Sequence, residues 1–203
     1  MDGLAKEYLV SFYSKNLALH GDRPEALRWS PEGQRIRYGV MLDALPDIRG
    51  KKVLDYGCGK GDLYGFIRGR GLEVSYTGID INAELIDLAA SKHPDARFMV
   101  SDVEESPLEE EFDVAFLCGV FNNKVESVEE SMRNVLSALF EKTTEALALN
   151  ALSSHAGDKA VELNYTSPEE LSTFVRANLT PRLELIEGYL PGDFTMVLHK
   201  TRP

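Results

Sequence analysis

Val53-Leu54-Asp55-Tyr56-Gly57-Cys58-Gly59-Lys60-Gly61-Asp62-Leu63 runs from an apolar strand pattern into three alternating glycines and then into a helical pattern. Glycine lets a backbone pass close to a ligand and take conformations closed to other residues, and a turn of this kind sits where open α/β sheets bind nucleotide-like molecules. A dinucleotide fingerprint would put its third glycine at position 62, three residues after the second. Asp62 stands there instead, and the third glycine comes one residue early. An acid at the helix start also occupies the place where a pyrophosphate would use free amides and the positive end of the helix dipole. The turn therefore suits a cationic, phosphate-free ligand better than NAD.

Outward from this turn, β-rich runs alternate with amphipathic stretches, the pattern of a parallel sheet covered by helices on both faces. The spacing predicts strands over Lys52–Tyr56, Val74–Asp80, Arg97–Val100, Phe112–Cys118, Ala146–Leu152, Leu183–Tyr189 and Phe194–His199. Helices are predicted over Leu63–Arg70, Ala83–Lys92, Val128–Thr143 and Pro168–Asn178. The last opens on Ser167-Pro168-Glu169-Glu170, a serine cap with proline in the first turn. Leu190-Pro191-Gly192-Asp193 is too short for a crossover helix, so the final two strands must be antiparallel. The expected fold is a doubly wound, seven-stranded, mostly parallel α/β sheet with one reversed strand near its edge. Before Lys51 two helices, Leu4–Leu19 and Pro31–Leu45, flank the polar stretch His20–Ser30. Residues 1–50 are thus expected to form a helical addition, a possible lid, on a domain over 51–203.

The chain has 203 residues, enough for one domain with a real core. Its 43% apolar and 27% charged residues exclude a disordered or fibrous chain. A net charge of −11 disfavours a nucleic-acid partner, because a phosphate backbone repels it. The acidic stretch Glu104–Glu111 reads as a solvated connector. No apolar run approaches a membrane span, and the start MDGLAKEYLV lacks the pattern of a secretory leader, so a cytoplasmic location is expected. Cys58 and Cys118 form neither a metal-ligand spacing nor a disulfide framework, and His20, His93 and His199 show no metal-binding spacing. No metal is assigned, and the oligomeric state is left open.

The glycine segment resembles the first motif of the class I, Rossmann-like, S-adenosyl-L-methionine-dependent methyltransferases, an apolar strand ending in an acid followed by Gly-x-Gly-x-Gly. Asp55, Gly57, Gly59 and Gly61 match it. The family's acid at the end of the next strand is matched by Asp80, and its acid after the third strand by Asp102. The fourth strand, Phe112 to Cys118, also fits. The resemblance covers roughly Lys51 to the C-terminus and implies S-adenosylmethionine as cofactor. It places that cofactor against Asp55, Gly57, Cys58, Gly59, Gly61, Leu63, Asp80, Ile81, Asp102, Val103 and Cys118. Asp80 would accept hydrogen bonds from the ribose hydroxyls, Asp102 would lie near the adenine, and Cys118 beside the methionine part.

Fold and cofactor site do not specify an acceptor. The loop Gly119-Val120-Phe121-Asn122-Asn123-Lys124 follows the fourth strand at the expected methyl-transfer face, and Asn122 or Asn123 is a candidate for orienting the acceptor, balanced against a plain turn role. His155, after the fifth strand, is a candidate general base, balanced against a solvated loop histidine. Asn150, within that strand, serves structure or chemistry equally well. Tyr13, His20 and Trp29 are candidates to line a lid. Arg37 is the candidate partner for the cofactor's methionine carboxylate, with Arg35 as the other choice. The acidic surface and the N-terminal addition favour a small-molecule acceptor. The alternatives are a protein or RNA methyltransferase, a protein that binds the cofactor without transferring its methyl group, and, last, a nicotinamide-dependent oxidoreductase.

Overall fold

The structure, a computed structural model, describes residues 1–200. Seven strands, β1 (Lys52–Tyr56), β2 (Ser75–Asp80), β3 (Arg97–Val100), β4 (Phe112–Cys118), β5 (Thr143–Leu152), β6 (Leu183–Glu187) and β7 (Asp193–His199), form one sheet in the order β3-β2-β1-β4-β5-β7-β6. Neighbours are parallel from β3 through β5, and β7 runs antiparallel to both β5 and β6. Six helices accompany them: α1 (Gly3–His20), α2 (Pro31–Asp43), α3 (Asp62–Gly69), α4 (Ala83–Lys92), α5 (Val128–Glu141) and α6 (Pro168–Asn178). The expected mostly parallel fold with one reversed strand is present. β7 inserts between β5 and β6, which loop length alone does not predict.

Side-chain alternation along the strands makes two apolar layers. On β4, Val114 and Phe116 face Tyr38 and Met41 of α2 and Ile67 of α3, while Ala115 and Leu117 join Met132, Leu136 and Leu139 of α5. Residues on both sides of position 50 thus share one layer: α2 covers the sheet, while α1 and the stretch 21–30 lie over the strand ends. Element bounds shift where local chemistry decides. Thr143 ends the expected helix early because it pairs with Phe112 as the first residue of β5, its hydroxyl donating to the Leu139 carbonyl at 2.7 Å. β6 stops at Glu187, before Gly188 at φ 82. The polar stretch before α2 holds one 3₁₀ turn, Pro24–Leu27. No helix among the described residues is long and apolar enough to cross a membrane.

Candidate active site

The chain leaves β1 for β2 on one side of the sheet and later enters β4 on the other, so a crevice opens above the carboxyl ends of β1 and β4. That crevice holds a cleft whose floor comes from four strand ends: Tyr56 and Gly57, Asp80 and Ile81, Ser101 and Asp102, and Cys118 to Phe121. Its roof is N-terminal, built from Tyr13 of α1 with Leu27 and Trp29. Contact between floor and roof is close. A Cβ at Gly59 would lie 2.8 Å from Leu27, and one at Gly119 would lie 2.4 Å from Trp29. Both glycines have positive φ, 53° and 67°, so shape and backbone alike demand glycine here.

Asp80 is the best-organised carboxylate in the cleft. Its Oδ2 accepts the Gly59 amide and its Oδ1 the Asn82 amide, each at 2.9 Å, which leaves each oxygen a further lone pair. Burial nevertheless raises its pKa, outweighing those amides. Asp102 is held differently. Lys6 of α1 pairs with it at 2.6 Å, and the Glu104 amide donates to it at 2.9 Å. Burial pushes its carboxyl up, but Lys6 and that amide prevail and hold it below the usual carboxylate range. Asn82 caps α4 through its side-chain oxygen and donates to the Val10 carbonyl, tying α1 to the cleft. Lys6 and Asn82 escape a motif-based reading. The only sequence sign of Asn82 is its cap position before Ala83-Glu84-Leu85.

Six of the expected cofactor residues line this cleft: Gly57, Gly59, Asp80, Ile81, Asp102 and Cys118. The others lie around it. Asp55 is buried beneath the turn, accepts the Tyr76 hydroxyl, and has its pKa raised by burial to about 7. Cys58 is buried beside Gly78, Gly61 packs on Phe98, and Leu63 and Val103 are core residues. Arg37 is directed elsewhere than expected. Its Nε and Nη2 bind both oxygens of Asp193 at 2.5 and 2.7 Å, its guanidinium stacks on Trp29 at 4.3 Å, and it lines a second cavity. Arg35 lines neither cavity.

That second cavity, about 290 Å³, adjoins the cleft across a wall of Tyr13, Leu27, Trp29 and Gly119. Asn122 and Asn123, the candidates for orienting an acceptor, are among its lining residues. Asn123 Nδ2 donates to the Tyr13 hydroxyl at 2.7 Å, and Asn122 Oδ1 accepts the Leu152 amide at 3.3 Å. Asn150 stays in the core, its amide donating to Tyr189, Asp193 and the Phe194 carbonyl. His155, the candidate general base, lines neither cavity. The Ser153–Thr166 bridge closes β5 before it, and its ring is half exposed, with Nε2 3.3 Å from Glu169.

The cleft thus combines a glycine floor, a carboxylate with lone pairs to spare and an aromatic roof, features that fit an adenosyl sulfonium. Residues 53–141 match the model of a family described as a methyltransferase domain. A protein of Mycobacterium tuberculosis named among the methyltransferases is 24% identical over 154 residues, 73% of this chain and 92% of that protein. The malonyl-[acyl-carrier protein] O-methyltransferase of Pectobacterium atrosepticum is 35% identical over 77 residues, 38% of this chain and 30% of that enzyme. Among solved structures, the magnesium protoporphyrin IX methyltransferase of Synechocystis with bound SAH is similar at a TM-score of 0.68 and 16% identity, covering 98% of this chain and 99% of that one. The chain carries a methyltransferase-domain match over residues 53–141 and shares the Rossmann-like fold of S-adenosylmethionine-dependent methyltransferases.

Proposed function

We propose that the chain methylates a small-molecule acceptor held in the second cavity, with the cofactor in the cleft. The observation that carries this reading is that cleft and cavity share Tyr13, Leu27, Trp29 and Gly119 among their lining residues and so adjoin, and methyl transfer needs its two ligands side by side and in line. When bound, S-adenosylmethionine supplies an electrophilic methyl group on a sulfonium. Asp80 orients the ribose through its remaining lone pairs, the glycine turn admits the ligand against the backbone, and Asp102 with Lys6 borders the adenine end. Tyr13 and Trp29 exclude water from the space between the ligands. Tyr13 is held by Asn123, and Trp29 is clamped by the Arg37–Asp193 pair.

A cavity near 290 Å³ lies at the lower end of the range for small-molecule sites. The acceptor named for one similar protein, magnesium protoporphyrin IX, also supports a low-molecular-weight group. The test is transfer of a labelled methyl group from the cofactor into a cell extract separated by size. Label in the small-molecule fraction is expected. Label confined to protein or RNA would overturn the reading.

A further inference from the structure

The chemistry of the second cavity narrows the acceptor, on the reading that this cavity holds it. No histidine, lysine, aspartate, glutamate or cysteine is among its lining residues, and the ionisable ones are Tyr13, Arg28 and Arg37. The nearby acids are engaged: Asp80 by two backbone amides, Asp102 by Lys6, and Asp193 by Arg37 and Asn150. Among the described residues, no free base lines the cavity to take a proton from an acceptor. Hydrogen-bond donors, in contrast, are among the lining groups. Tyr13 accepts from Asn123, which turns its own O–H proton elsewhere; Asn122 keeps its Nδ2 amide after Oδ1 is used; Arg37 keeps Nη1 after Nε and Nη2 bind Asp193. Leu27, Trp29, Leu152 and Leu163 supply an apolar wall.

We propose that the acceptor is a carboxylate on an apolar body and that the product is its methyl ester. A carboxylate is ionised near neutral pH and needs no base, whereas a hydroxyl or an ammonium must first lose a proton. A lone pair of the carboxylate oxygen forms the bond to the methyl carbon, the carbon–sulfur bond breaks with its pair going to sulfur, and no proton is released. The products are the ester and S-adenosylhomocysteine. Tyr13 and Asn122 orient the carboxylate by donating to the oxygen that does not attack.

The test is isothermal titration of the protein saturated with S-adenosylhomocysteine, using octanoate, phenylacetate and indole-3-acetate, each against its matched primary alcohol. At least one acid should bind about tenfold or more tightly than its alcohol. Asn122→Asp, nearly isosteric, should abolish that preference while S-adenosylhomocysteine still binds; Tyr13→Phe should reduce it. A set in which no acid outbinds its alcohol, whether or not either binds, overturns the proposal. Failure to bind S-adenosylhomocysteine overturns the placement of the cofactor instead. With the preferred acid and labelled cofactor, the product should release its label as methanol in mild alkali, with no proton liberated per turnover. An alkali-stable product, or one proton per methyl group, also refutes it.

Discussion

Asp55→Asn removes the one carboxyl group that the fold buries beneath the glycine turn, and it should flatten part of the protein's stability profile with pH. Burial raises the Asp55 pKa from the ordinary 3.8 to about 7, against the opposing hydrogen bond from Tyr76. The sign follows from which state holds the proton. Below the unfolded value both states are protonated; between the two values the native state keeps a proton that the unfolded chain has released, so stability falls as pH rises; above the native value the loss is complete. A rise of about three units at 1.36 kcal/mol each gives a total on the order of 4 kcal/mol. About 2 kcal/mol of it falls between pH 5.5 and 8. Urea unfolding of the ligand-free wild type and variant at these two pH values measures the difference, since all other titrating groups are shared. Parallel profiles in the two proteins would refute the assignment of a protonatable, buried Asp55.

Asp80→Ala should weaken S-adenosylhomocysteine binding by about 10- to 100-fold in isothermal titration while the fold persists, because ribose partners and the anchor of the Gly59 amide go together; unchanged affinity would remove Asp80 from the site. Gly119→Val should lose cofactor binding and destabilise by about 1–3 kcal/mol, since a side chain at φ 67 would collide with Trp29; chemical denaturation measures the stability term. Lys60→Met should loosen the segment around Asp22, seen as faster amide exchange over residues 20–30 with little change over β4 and β5. Lys60 is 2% exposed and pairs with both Asp22 and Asp62, and exchange confined elsewhere would contradict that role.

The sheet was legible because its strands are short, apolar and punctuated, and the tight Leu190–Asp193 connection dictates the direction of β7. Its insertion between β5 and β6 was not, since strand order depends on which edge is left open. In the site, the expected residues that do line the cleft are those whose backbone position forces their place: two glycines in the turn and residues at or just past strand ends, Asp80, Ile81, Asp102 and Cys118. Side chains with reach were harder. Arg37 could engage any carboxylate within its length, and its partner Asp193 is 156 residues away. Lys60 sits inside the motif as a spacer, yet its buried ammonium and the Lys92 ammonium form an ion-pair cluster with Asp22 and Asp62. Burial raises the Asp62 carboxyl, but the two lysines outweigh it and keep Asp62 ionised, so the acid that argues against pyrophosphate also anchors the roof.

These pairings share one end of the strands. Asp62 follows β1, Asp102 follows β3, and Asp193 begins β7, whose reversed direction brings it to the same end. Each meets a cation: Lys60 and Lys92, Lys6, and Arg37. Through Lys6, Asp22 and Arg37 the N-terminal segment is fastened to the strand ends at three points. Asp80, among the described residues, forms no ion pair, and both of its oxygens face the cleft side of the turn through the amides of Gly59 and Asn82. One uncompensated carboxylate under an aromatic roof is an electrostatic complement to a ligand that brings hydroxyls and a positive charge.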